Sequence, residues 1–352
     1  MSGVRTLTVA PGEGDQRLDR WLRRHFPHLT QGAIGKMCRK GELRVDGGRV
    51  QPATRVEEGQ KVRIPPIAPE LSAPAPVPQH PGIPARDARM MRDAVIWMDD
   101  HIIALNKPAG LPSQGGSGQG ARHVDALSAV FADGQGEKPR LVHRLDKDTS
   151  GVLLLARSAR VARGLSEALR HRNVKKIYWA AVAGVPEPKA GAIRYGLLRV
   201  PSGRHDEKMR CIHPREVDST PGAQRALTHF VTMAWLAGRA SWVGLSPVTG
   251  RTHQLRAHMA ELGNPILGDT KYGGTAQENA GDGWGAGIGG DLARQLHLHA
   301  RAVVFEHPVT KQITTVVAPL PPHMRATWDY VGWDADYPVV DPFSLDREEG
   351  RG

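Results

Sequence analysis

The chain has 352 residues, a formal net charge of +11 from 47 Lys and Arg against 36 Asp and Glu, and two cysteines. That length holds one large core with a small satellite, or two mid-sized domains, and the basic excess points to a polyanion, nucleic acid first, as partner. Cys38 and Cys211 have no partner nearby in sequence, which excludes a disulfide framework and a cysteine zinc site. With no apolar leader and no run of the ~20 apolar residues a membrane span needs, a cytoplasmic protein with no membrane association is expected.

In chain order, Leu18, Trp21 and Leu22 recur at helical spacing, and a second short helix over 33–38 presents Ile34 and Met37. Residues 41–50 read as strand, turn, strand about Asp46-Gly47, a pair favoured by two-residue hairpin turns, and 59–64 as a further strand. Residues 15–64 carry twelve Lys or Arg against six acidic residues, so a positive face is expected. Arg17-Leu18-Asp19, Arg39-Lys40-Gly41, Val45-Asp46-Gly47 and Gly59-Gln60-Lys61-Val62 resemble the S-four domain, a small RNA-binding unit first described in a small-subunit ribosomal protein. One departure is Thr30-Gln31, where that family often opens its second helix with Ser-Arg; Thr30 can still cap a helix.

Residues 65–93, rich in Pro and Ala with no sustained apolar period, read as an extended linker. They separate a domain over 1–64 from a larger one over 94–325, and an acidic tail over 326–352, which also carries Trp and Tyr, either packs on that domain or stays loose. In the larger domain, 94–97 and 102–106 read as paired strands, and Ser158 caps a helix with Val161, Leu165 and Leu169 on one face. Strands follow over 176–182 and 296–300. The Gly-rich stretch 114–120 lacks both the P-loop ending and the dinucleotide-binding spacing and reads as a flexible surface loop near the site, and a second Gly-rich stretch, 273–290, interrupts the domain.

The chemistry concentrates at 141–151, Leu-Val-His-Arg-Leu-Asp-Lys-Asp-Thr-Ser-Gly. One carboxylate, Asp146, stands in a basic turning loop that Thr149, Ser150 and Gly151 can tighten, and the apolar strand 152–156 can hold it rigid. This segment resembles the signature of the pseudouridine synthases that modify large-subunit ribosomal RNA and related substrates. The resemblance extends to Asn-Lys-Pro-Ala-Gly-Leu at 106–111, to the Tyr178 strand at 176–184, and to 249–273, beginning Thr-Gly-Arg-Thr-His-Gln-Leu-Arg. It implies an α+β fold: a small α/β RNA-binding domain joined to a catalytic domain on a mixed, largely antiparallel sheet with flanking helices.

The resemblance also implies the reaction. Uracil is detached from ribose at N1, turned, and rejoined through C5, with no cofactor, metal or water consumed. Asp146 is the expected catalytic carboxylate, acting by covalent attack or by proton abstraction. Arg251, placed near a helix start, is the cation expected to hold it ionised, and Tyr178 is expected to stack on the flipped base and assist proton transfer at C5. Arg144 is expected to contact RNA and fill the gap left by flipping, with His143, Thr252, His253 and Gln254 as further substrate-binding residues. His253 and His258 are five apart, not at the spacing of a helical zinc pair.

The expected partner is RNA, 23S ribosomal RNA first, bound by a monomer; residues 296–301 and the long linker favour the C-type enzyme over the D-type. Transfer RNA is the alternative substrate, and a non-catalytic ribosome-assembly factor the alternative function. A two-carboxylate hydrolase built on Asp146 and Asp148, ~6.6 Å apart along a strand, would release base or sugar, whereas isomerisation leaves RNA mass unchanged.

Overall fold

Leu18, Trp21 and Leu22 are fully buried, and they open a computed structural model that describes residues 4–26, 29–66, 82–115, 122–132, 137–170, 174–201, 207–273, 292–338 and 343. The chain divides into two units, Met1–Gly82 and Ile83–Gly352. The first contains β1 (Arg5–Thr8), β2 (Gln16–Arg17), α1 (Leu18–His25), α2 (Gln31–Lys40), β3 (Arg44–Val45), β4 (Gly48–Arg49), β5 (Arg55–Val56) and β6 (Lys61–Ile64). Its four-stranded sheet runs β1-β6-β3-β4. The β3–β4 turn has Asp46 and Gly47 both at positive φ, 48° and 78°, as a type I′ hairpin requires.

Thr30 caps α2, its Oγ1 accepting from the Ala33 N–H at 3.2 Å. Gln31 is tied down: its amide donates to Asp19 Oδ2 at 2.8 Å, and Asp19, itself buried, also holds Arg17 at 2.7 Å. The Arg-Leu-Asp triplet therefore sends Leu18 into the core and uses Asp19 to join the start of α1 to α2.

The second unit contains α3 (Ala85–Asp93), β7 (Val95–Met98), β8 (Ile102–Lys107), α4 (Val124–Leu127), β9 (Arg140–Leu141), β10 (Ser150–Ala156), α5 (Ala159–Arg170) and β11 (Lys175–Ala183). It continues through β12 (Ala190–Ile193), β13 (Gly196–Pro201), β14 (Glu207–Ile212), β15 (Thr228–Leu236) and β16 (Ala240–Pro247). The last elements are α6 (Gln254–Glu261), β17 (Leu298–Glu306), β18 (Ile313–Val317) and α7 (Pro322–Val331). A ten-stranded sheet runs β12-β15-β16-β11-β17-β10-β8-β7, with β18 added on β17 and β9 on β10. Every pairing in it is antiparallel except β10 with β17, so the mixed, largely antiparallel α+β architecture expected from the sequence is the one found.

Two boundaries differ from the expectation. The stretch read as linker ends in α3, which buries Met91 against Ile103, Leu105, Leu145 and Leu153; its one buried apolar position in nine residues is too sparse to register as a period. The tail read as starting at 326 lies inside α7, whose Trp328 packs with Trp333 and Trp242 at ring distances of 5.1 and 5.9 Å. Of the two readings left open for the tail, packing on the domain is the one found over its described start, where the indoles complete the core. Linker residues 67–81, glycine-rich residues 116–120 and 274–290, and tail residues 344–352 lie outside the described residues.

Candidate active site

All seven residues of β10 are buried, as befits a strand paired to β8 on one side and β17 on the other. Gly151, at φ +110°, opens it: a Cβ there would lie 2.3 Å from the Ala300 carbonyl oxygen, so only glycine lets β10 meet β17 at this point. Ser150 Oγ donates to His299 Nδ1 at 2.9 Å, while His299 Nε2 donates to the Ala318 carbonyl at 3.2 Å. Burial keeps that imidazole neutral, with a pKa of about 3. The Thr-Ser-Gly triplet is thus a strand junction as much as a turn.

The loop between β9 and β10 is clamped from the Asn-Lys-Pro-Ala-Gly segment. Ser113 Oγ donates to the Leu145 carbonyl at 2.7 Å and accepts the Leu145 N–H at 3.0 Å. Lys107, with no exposed surface, donates to the carbonyls of Pro108, Leu111 and Lys147 at 2.9, 2.8 and 3.0 Å. Asp146 is held by its neighbours' backbone on both sides. Its own carboxylate has no hydrogen bond or ion pair among the described residues.

Burial lowers the Lys107 ammonium from its ordinary 10.5 to about 7, against the pull of Asp148 and Asp146. Between those pH values the unfolded chain keeps a proton on this lysine that the folded chain has released. The group's contribution therefore makes stability rise with pH across that window, and it burdens the fold most below pH 7. Lys107→Met removes the charge but strips three carbonyls of a donor; a loss of about 2–3 kcal/mol is expected, with a flatter pH dependence than the native protein. Denaturant unfolding at both ends of the window checks this, and native stability with a native pH slope would refute the clamp.

Asp146 opens onto a cavity of about 290 Å³ lined also by His143, Arg144, Thr149, Lys176, Tyr178, Arg251, Thr252, Gln254 and Arg256. Burial, then the charge of Asp146, raises the Tyr178 phenol above its ordinary value, so it sits in the cavity as a neutral hydroxyl. Arg144 and Arg251 are exposed on the same cavity.

The structure redistributes several expected roles. Arg251 makes no ion pair with Asp146 among the described residues; it precedes α6 by three residues and its Nε donates to the Arg225 carbonyl at 3.3 Å. Like Lys107, Arg256, which sequence reasoning passed over, does feel the charge of Asp146. Burial works against its charge, but the hydrogen bonds and charge of Asp269, then the charge of Asp146, raise its pKa. Its guanidinium grips Asp269 through Nε and Nη2, both at 2.7 Å.

Gln254 has no capacity left for RNA. Its oxygen accepts from Thr249 Oγ1 and the Arg251 N–H, and its amide donates to the Leu227 carbonyl and Thr228 Oγ1. It fixes the turn between β16 and α6. His253, at φ 51°, caps α6 without lining the cavity, and its Nδ1 meets Tyr272 Oη at 3.0 Å. His143 Nε2 accepts the Leu154 N–H at 3.0 Å, and its pKa is lowered to about 3 by burial and the charge of Lys176. Thr252 stays a cavity residue. Among the described residues no group of three or more His, Cys, Asp or Glu side chains can hold a metal ion, and no helix is long and apolar enough to cross a membrane.

Residues 101–261 match the model of the RNA pseudouridylate synthase family, and residues 16–62 match the S4 domain. The ribosomal large subunit pseudouridine synthase C of Salmonella typhi is 32% identical over 92% of this chain and 95% of its own. The protein of that name in Vibrio cholerae is 33% identical over 92% and 95%, and that of Escherichia coli 32% over 90% and 93%. Among solved structures, human RNA pseudouridylate synthase domain containing 4 superposes with a TM-score of 0.54 at 28% identity, covering 70% of this chain and 95% of that one. With both domain models in sequence order and relatives this similar along nearly their whole length, the chain belongs to the RNA pseudouridylate synthase family and carries an S4 domain ahead of its catalytic unit.

Proposed function

We propose that this protein converts specific uridines of large-subunit ribosomal RNA to pseudouridine, with Asp146 as the catalytic carboxylate. The observation that carries the reading is a carboxylate without a partner among the described residues, held over a cavity by a loop clamped at Leu145 and Lys147. A structural aspartate in a basic loop would be paired; this one is free to meet a ribose. The choice of large-subunit RNA rests on what the relatives are called.

The target nucleotide leaves its stack to enter the cavity, since the glycosidic bond and the far edge of the base are not both reachable within a helix. Arg144, exposed beside Asp146, takes the vacated space. Tyr178 supports the uracil ring and offers a neutral hydroxyl to the proton transfers at C5 and N1. Arg256, in place of Arg251, is the buried positive charge that serves Asp146 in the reaction. Residues 1–64 act as a separate RNA anchor, supported by the match to the S4 domain.

Mapping pseudouridine in ribosomal and transfer RNA from cells lacking the gene, with and without the native protein restored, tests the reading. Loss and restoration of sites in the large-subunit RNA is the expected result. Sites lost only from transfer RNA would overturn the substrate, and no lost sites together with an inactive purified protein would overturn the reaction.

A further inference from the structure

Among the described residues around the cavity, the buried cations are matched, with one exception. Lys107 has three carbonyls, and Arg256 has Asp269. Lys176, half-buried on β11 two residues before Tyr178 and lining the same cavity, has no hydrogen bond or ion pair among the described residues. Burial alone lowers its pKa, with no carboxylate opposing the effect. Residues two apart on a strand share a face, so this ammonium is presented beside the Tyr178 ring. A desolvated charge without a partner costs stability, and a site that retains one has a use for it when the substrate arrives.

Two parts of an RNA can meet that charge, the phosphates and the base. Arg144 and Arg251 line the cavity and are exposed, so they are the side chains placed to meet phosphates. Lys176 lies further in, near enough to His143 for its charge to depress that ring's pKa. The base is also where negative charge appears: whichever way Asp146 acts, the N1–C1′ bond breaks with its electron pair left on uracil, spread over N1, O2 and O4.

Resting on the isomerase reading above, we propose that Lys176 is a catalytic residue whose ammonium donates a hydrogen bond to a uracil carbonyl oxygen and stabilises the departing base. Lys176 keeps its proton throughout. The base turns, the C5–C1′ bond forms, C5 loses its proton and N1 gains one, so atoms and charge balance without a co-reactant. In a cavity screened from water, a fixed positive donor aimed at developing charge is worth far more than in solvent.

The test compares the native protein with Lys176→Met, Lys176→Gln and Lys176→Arg on one large-subunit RNA transcript, measuring affinity and single-turnover rate separately. At saturating protein, the Met and Gln variants are expected to slow the chemical step by about 10²–10³-fold, with RNA affinity within about twofold of native. Lys176→Arg should recover part of the rate, and the melting temperature of Lys176→Met should equal or exceed the native value because an unpaired buried charge has gone. A native rate in Lys176→Met would overturn the proposal, as would a loss confined to affinity, which marks a phosphate contact. Unfolding of Lys176→Met would also contradict it, since a side chain without partners holds nothing together. An inactive native protein sinks the isomerase reading instead, a different outcome from an active native protein matched by its Lys176 variants.

Discussion

Asp146→Asn is expected to lower pseudouridine formation by at least about 10³-fold while leaving the fold intact. The loop is held by Ser113 on Leu145, by Lys107 on Lys147 and by the Thr149 N–H on the Asp146 carbonyl at 3.2 Å, and none of these uses the Asp146 side chain. Stability should therefore stay within about 0.5 kcal/mol of native. RNA affinity should change little, because the contacts proposed for binding lie on Arg144, Arg251 and residues 1–64. Loss of the carboxylate's charge should also bring the Tyr178 phenol part of the way back towards its ordinary value, since that charge is one of the two causes of its rise; spectroscopic titration reads this directly. Retention of more than a tenth of native activity would remove Asp146 from the reaction.

The signal that found Asp146 was local, and so were the other features legible in sequence. Asp46-Gly47 dictates its own turn through two positive φ values, and Ser158 announces α5 by accepting the Val161 N–H at 3.3 Å. What stayed hidden depends on neighbours remote in the chain. Gly151 looks like a turn residue until Ala300 is brought against it. In the 249–273 motif both Arg251 and Arg256 are candidates for the catalytic cation, and periodicity does not separate them, because α6 is buried from Gln254 to Met259 on every side. A helix without a polar face gives no amphipathic cue. The deciding fact, that one arginine reaches a buried carboxylate and the other reaches a carbonyl at the surface, is tertiary. The same holds for Gln254, whose four hydrogen bonds converge from two segments, 227–228 and 249–251, and for Lys107, whose acceptors include a carbonyl forty residues away.

Arg256 and Asp269 set up the second large effect. Their side chains are 6% and 0% exposed, and Asp269 Oδ1 also accepts the N–H groups of Lys271 and Tyr272 at 2.9 and 3.0 Å. Asp269→Ala leaves a buried guanidinium without its partner and two backbone donors unmet; a loss of about 3–5 kcal/mol is expected, measured by denaturant unfolding. The charge that remains near Arg256 is Asp146, so the freed guanidinium should turn towards the catalytic carboxylate and hold it, depressing activity beyond what instability explains. Arg256→Met combined with Asp269→Asn separates the two roles. It removes the unpaired charge while Asn still accepts the two N–H groups, so most of the lost stability should return. If Arg256 is the cation that serves Asp146 in the reaction, activity should not return with it. A stable double variant with native activity would assign the pair to architecture alone.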